Sequence, residues 1–155
     1  MRTGKPKNKI VKGDPKYDSM IVGRFINMVM QDGKKQTAQK IVYEALEQAS
    51  EQVNQEPVEF FEAILRNVSP TMEVRSRRVG GATYQVPMPV RTERKEMMSM
   101  RWIINAARQK KGRPIAQLLA HELVDAYNGE GEAMKMRANV HKMAEANRAF
   151  AHFKW

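Results

Sequence analysis

The apolar residues of this chain follow a helical spacing over most of its length, change once to strict alternation, and then return to the helical spacing. After Pro70 the alternation is clear: Tyr84, Val86, Met88 and Val90 interleave with Thr83, Gln85, Pro87 and Pro89, which is the period of a strand. Gly80-Gly81 supplies a two-residue hairpin turn immediately before it. With that turn, Val79 and Ala82 form the first hydrogen-bonded pair, and bonded positions then recur at every second residue. Pro87 and Pro89, which have no N–H to donate, fall where none is required. A ribbon of two strands is marginal in water alone, so it reads either as an arm held by a partner or as a hairpin folded onto its own domain.

On either side the spacing is helical. Met20, Ile21, Phe25, Met28 and Val29 share one face of a first helix, with Gly33 just past its end. Ala38, Ile41, Val42, Ala45, Leu46, Ala49 and Val53 mark a second. A third starts near Pro57, with Val58, Phe61, Ile64, Leu65 and Val68 as its face. Beyond the ribbon, Thr92 is expected to cap a fourth helix. There Arg94, Arg101 and Arg108 form a ridge opposite Met97, Met100, Ile104 and Ala107. Gly112 and Pro114 end it. Ile115, Leu118, Leu119, Leu123 and Ala126 give a fifth helix, and Gly129 with Gly131 separates it from a sixth. That last helix turns Ala133, Met136, Val140, Met143, Ala144 and Asn147 inward. No repeat of 20 to 50 residues is present. The expected fold is mainly α: a six-helix domain over 14–155, an extended basic β-hairpin at about 72–90 between helices three and four, and a basic N-terminal arm over 1–13.

Composition narrows the partner. Among 155 residues there are 27 Lys plus Arg against 17 Asp plus Glu, a formal net charge of +10, and no cysteine. Disulfide frameworks, cysteine zinc sites and thiol catalysis are therefore excluded. The charge is concentrated: +5 over 1–16, −3 over 17–71, +8 over 72–113 and zero over 114–155. Localised positive charge captures polyanions. Nucleic acid leads; a membrane surface is disfavoured, because the excess lies in a tail and a strand rather than on an amphipathic basic helix. The first twelve residues have no apolar core of a signal peptide, so export is not expected.

No catalytic constellation emerges. Phosphate-binding Gly-x-x-x-x-Gly-Lys, dinucleotide Gly-x-Gly-x-x-Gly and nucleophile-elbow Gly-x-Ser-x-Gly patterns are all missing. His121-Glu122-x-x-Asp125 is the nearest approach to a metal pair and reads more simply as helical surface. Neither an enzyme, a cofactor nor a small-molecule substrate is expected. Lys34 and Lys35 sit near a helix start, where the dipole disfavours cations, so either solvation or a bound phosphate offsets them. The Arg94, Arg101, Arg108 ridge, extended by Arg91, Lys95, Lys110, Lys111 and Arg113, reads as a phosphate-tracking face or a solvated one. The arm is either a solubilising tail or a segment that orders on nucleic acid. Phe150, Phe153 and Trp155 either close the core or stack. A DNA-bending β-arm is the rival class, but such arms carry an apolar or proline wedge at the tip, whereas this tip is Gly-Gly. A nuclease is the second rival, and it lacks the necessary residues.

Four stretches carry a family resemblance: Asp32-Gly33-Lys34-Lys35, the ribbon from Val74 to Pro87, Met100-Arg101-Trp102, and Met143 to His152. In order and without large gaps from about Asp14 to Trp155, they resemble the family of protein seven of the bacterial small ribosomal subunit. The resemblance implies a helical domain with a β-ribbon that binds 16S ribosomal RNA and nucleates the head of the small subunit, in the cytoplasm. It also implies that the ribbon and C-terminal segment lie near exit-site transfer RNA and the messenger RNA path, beside small-subunit proteins nine and eleven. The RNA-contacting residues are then expected to be Lys5, Lys7 and Lys9 in the arm, Lys34 and Lys35, Arg75, Arg77 and Arg78 of the ribbon, and Arg91, Arg94, Lys95, Arg101, Arg108, Lys110, Lys111 and Arg113. Arg78, Gly80, Gly81, Tyr84, Arg148 and His152 are expected beside the transfer and messenger RNAs. The chain departs from the family pattern with Lys95 in place of Arg, with Pro89, and with a lysine-rich arm. Lysine gives up the forked phosphate pairing of arginine.

Overall fold

The computed structural model describes residues 13–153; the expected arm, apart from Gly13, and Trp155 lie outside them. Among the described residues, six α-helices and a short 3-10 turn frame one two-stranded ribbon: α1 (Met20–Val29), α2 (Lys35–Val53), α3 (Pro57–Val68), β1 (Met72–Val79), β2 (Ala82–Pro89), α4 (Thr92–Gln109), α5 (Ile115–Tyr127), α6 (Gly131–Ala146) and the turn Arg148–Phe153. The helical frame with a hairpin between α3 and α4 is the expected one.

Helix α5 lies at the centre and packs against α2, α3, α4 and α6. Its stripe of Ala116, Leu118, Leu119, Ala120, Leu123 and Ala126 is buried, so its small residues let four neighbours approach. Phe25 and Phe61 pack with centroids 4.7 Å apart. The ends are closed by specific bonds. Ser19 caps α1 through a bond accepted from the Val22 N–H, and Asn67 Nδ2 donates to the last carbonyls of α5, at 3.0 Å from Tyr127 O. The Asp14 carboxylate, itself buried, accepts from the N–H groups of Lys16, Tyr17 and Ser19 and from the Tyr43 hydroxyl. That clasp fixes where the chain enters α1.

Three expected faces are corrected. Helix α1 buries Val22, Phe25, Ile26 and Val29, whereas Met20 lies on the opposite side, 50% exposed. In α4, Met97 is 44% exposed while Ile103 is buried. In α6 only Ala133 and Ala144 are buried, and Met136 and Met143 are 45% and 51% exposed. Helix α6 rests on β1, α4 and α5 along Ala133, Val140 and Ala144, which places both methionines on its flank. Thr92 is also not the cap of α4; Arg91 holds that position, and no side chain caps the helix.

The ribbon has the expected register: Val79 pairs with Ala82, Arg77 with Tyr84, Arg75 with Val86, Val74 with Pro87 and Met72 with Pro89. Gly80 and Gly81 have φ of 57° and 87°, the doubly left-handed turn that glycine makes cheaply.

Candidate nucleic-acid interface

Directly opposed residues share a ribbon face, so Arg75 and Arg77 lie on the face of Val86 and Tyr84, and Arg78 lies with Thr83 on the other. Ser76 and Gln85 bond across the second face. The tip, from Gly80 to Thr83, is exposed. At the foot, Glu73 is 3% exposed, and its two carboxylate oxygens each receive a guanidinium, Arg75 at 2.7 Å and Arg94 Nε at 2.7 Å. Burial works to raise the Glu73 pKa, but the bonds and charges of Arg94 and Arg75 outweigh it and hold the carboxyl below its ordinary value. This carboxylate therefore joins the ribbon to α4.

Above the foot, Tyr84 meets the C-terminal turn. Its ring lies 5.4 Å from Phe150 and 4.7 Å from Phe153. Phe150 and Phe153 do not close the helical core: they pack on the ribbon. Arg148 and His152 are exposed on the same turn, Arg148 near Glu145 at 3.5 Å.

The remaining cations divide into two groups. Arg108 donates to the Val29 carbonyl at 3.1 Å. Lys110 is held by the fully buried Glu122 at 2.9 Å and faces Asp125 at 3.6 Å; burial would lower its pKa, but these carboxylates raise it above the ordinary value. By contrast Lys34, Lys35, Arg78, Arg91, Arg101, Lys111 and Arg113 are exposed, with no hydrogen bond or ion pair to their side chains among the described residues. Lys34 and Lys35 open α2 without a side-chain cap. Lys5, Lys7 and Lys9 lie outside the described residues.

Sequence reading did not single out Glu73, and it placed Glu122 on a helical surface, whereas Glu122 is fully buried. Glu122 falls on the α5 apolar stripe between Leu119 and Leu123, so its helical position signalled burial. Its Oε1 accepts the Ala133 N–H at 2.9 Å, tying the start of α6 to α5. His121 and Asp125 do share a face, at 2.9 Å. Among the described residues no group of three or more His, Cys, Asp or Glu is placed to hold a metal, and no helix is long and apolar enough to cross a membrane.

Among the described residues, the helical frame carries cations without a partner on a ribbon, a helix ridge and two loops, the kind of surface expected of a polyanion-binding protein. Residues 1–148 match the family model "Ribosomal protein S7p/S5e". The chain is 53% identical over 155 residues to Small ribosomal subunit protein uS7 of Thermosipho africanus and 52% identical to that of Kosmotoga olearia, with all of each chain covered. Its identity to the Pelagibacter ubique protein of the same name is 49%, covering 95% of this chain and 94% of that one. The chain belongs to this ribosomal protein family, whose members are structural constituents of the small subunit and not enzymes. Ribosomal RNA binding and a part in translation come with that membership.

Proposed function

We propose that the chain is a primary 16S ribosomal RNA binder that nucleates the head of the small subunit. In this reading the ribbon and C-terminal turn face exit-site transfer RNA and the messenger RNA path, and proteins nine and eleven are its neighbours. The observation that carries it is the set of exposed cations without a partner among the described residues, Lys34, Lys35, Arg78, Arg91, Arg101, Lys111 and Arg113. They occupy separate parts of the fold, so one rigid body can neutralise phosphates of several RNA segments together. A-form RNA hides its major groove, so recognition rests on shape, phosphates and 2′-hydroxyls.

The test is binding to a head fragment of 16S ribosomal RNA, titrated at several salt concentrations against unrelated structured RNA and duplex DNA. A preference for the ribosomal fragment that persists as salt rises supports the reading; equal, steeply salt-sensitive binding to all three favours a general polyanion surface. Arg101→Ala should weaken binding and lower the salt slope by about 1 without unfolding the protein. Arg94→Ala is a less clean probe, since Arg94 also holds Glu73. Replacing Val74 to Pro87 by a short turn, which removes Arg78 but keeps the other six cations, should leave most of the fragment binding and alter transfer RNA release; complete failure to bind the fragment would contradict that division.

A further inference from the structure

At the foot of the ribbon a cleft of about 460 Å3 opens between α1, α3, α4 and α6, lined in part by Arg66, Lys95 and Arg137. Three cations from three different helices converge there, and among the described residues no hydrogen bond or ion pair engages any of their side chains. Arg137 Nε is buried and has no hydrogen-bond partner among the described residues. Elsewhere Arg24, Arg75, Arg94 and Lys110 all reach carboxylates. Two carboxylates also line the cleft, Glu62 and Glu96, but Glu96 is already paired with Arg24 at 3.0 Å. The cationic side therefore stays in excess. Thr92, also in the lining, begins α4, whose first turn has no side-chain cap.

We propose that this cleft holds a single phosphate group of an RNA strand, with Arg66 and Arg137 as the forked donors and Lys95 as a point charge. The inference rests on the RNA-binding reading above and adds Arg66 and Arg137 to the contacts that reading names. Glu62 and Glu96 in the same lining offset part of the positive charge and disfavour a second phosphate, so the cleft suits one phosphate protruding at a bend or junction and not a smooth duplex backbone.

The test uses the full chain with Arg66→Gln and Arg137→Gln combined, titrated with the 16S head fragment over a range of salt. The expected result is about tenfold weaker binding and a salt slope lower by about 1, with an unchanged melting curve. The Arg66→Lys, Arg137→Lys pair should restore most of the slope and only part of the affinity. If the double Gln variant does not fold, Lys95→Gln is read in the same way. Inorganic phosphate, followed by the NMR signal of the Arg137 Nε–H, separates the two sources of the anion. Movement by the RNA fragment at concentrations where phosphate has no effect supports the proposal. Saturation by phosphate with RNA binding unchanged in the variant overturns it and leaves a free-anion site. Unchanged affinity and slope in the variant, while Arg101→Ala still weakens binding, overturns the cleft and keeps the RNA reading. A wild-type chain without preference for the ribosomal fragment removes that reading, and the cleft with it.

Discussion

Glu73 shows how one carboxylate can set the direction of an arm. It is buried, but both of its partners are about half exposed, Arg75 at 49% and Arg94 at 44% of the side chain, so water screens part of their attraction. Glu73→Gln should cost about 2 kcal/mol, the scale of a lost charge-assisted bond, measurable by urea denaturation. The sign with pH follows from the depressed pKa. Stability from Glu73 is fully present above its ordinary value of 4.5 and is lost as pH falls through the lower folded value. The wild type should therefore lose more stability than Glu73→Gln as pH falls from 4.5 through the lower folded value; parallel losses over that range would show that Glu73 contributes nothing to acid sensitivity. Gly131 makes a second residue-scale case. Its φ is 89°, and an added Cβ would stand 2.9 Å from Glu122 Oε1 and 3.0 Å from Asp125 Cβ. At Gly129, with φ of 80°, that atom would meet nothing within 4 Å. Gly129→Ala should thus cost about 1 kcal/mol, the price of the backbone conformation, and Gly131→Ala distinctly more, seen as the larger fall in melting temperature.

At the scale of elements, the ribbon is held at two levels, by Glu73 at the foot and by Tyr84 against the C-terminal turn. Isolated two-stranded ribbons are marginal, and these contacts together with α6 supply the missing support. The His141 Nε2 adds to the foot by accepting the Thr71 N–H at 3.0 Å. Tyr84→Ala should release the turn Arg148–Phe153 while leaving the helical domain intact. Trypsin should then cut at Arg148 faster, and amide exchange in the turn should accelerate, with the main melting transition little changed. Unaltered exchange at Phe150 and Phe153 would mean that the turn does not depend on the ribbon. The ribbon was the most legible element in the sequence, because a Gly-Gly turn fixes the pairing and prolines are tolerated only at unbonded positions. Helix α6 was the least legible, since a helix resting on its alanines leaves larger apolar side chains on its flank.

For the whole molecule, the central place of α5 makes the helices one cooperative unit. Leu123 is fully buried on the helix that touches α2, α3, α4 and α6. Leu123→Ala should cost about 2–5 kcal/mol, and calorimetry should show one transition shifted down rather than a second one split off. Two transitions would separate the helices into independent parts.

The sequence by itself determined the helical frame, the place and register of the ribbon, the concentration of charge, and the family. These depend on spacing along the chain: a period of 3.6 or 2 places apolar residues on one side, and a two-residue turn fixes every pair beyond it. Only the tertiary structure decided which cations stay unpaired. Arg101 and Arg94 are equivalent along the α4 ridge, but Arg94 reaches a carboxylate on β1 and Arg101 has no partner among the described residues. Lys110 and Lys111 are neighbours in sequence, and a buried glutamate on α5 takes the first and leaves the second in solvent. Partnership of this kind joins residues far apart in the chain, so it follows from how the helices pack and not from any local pattern.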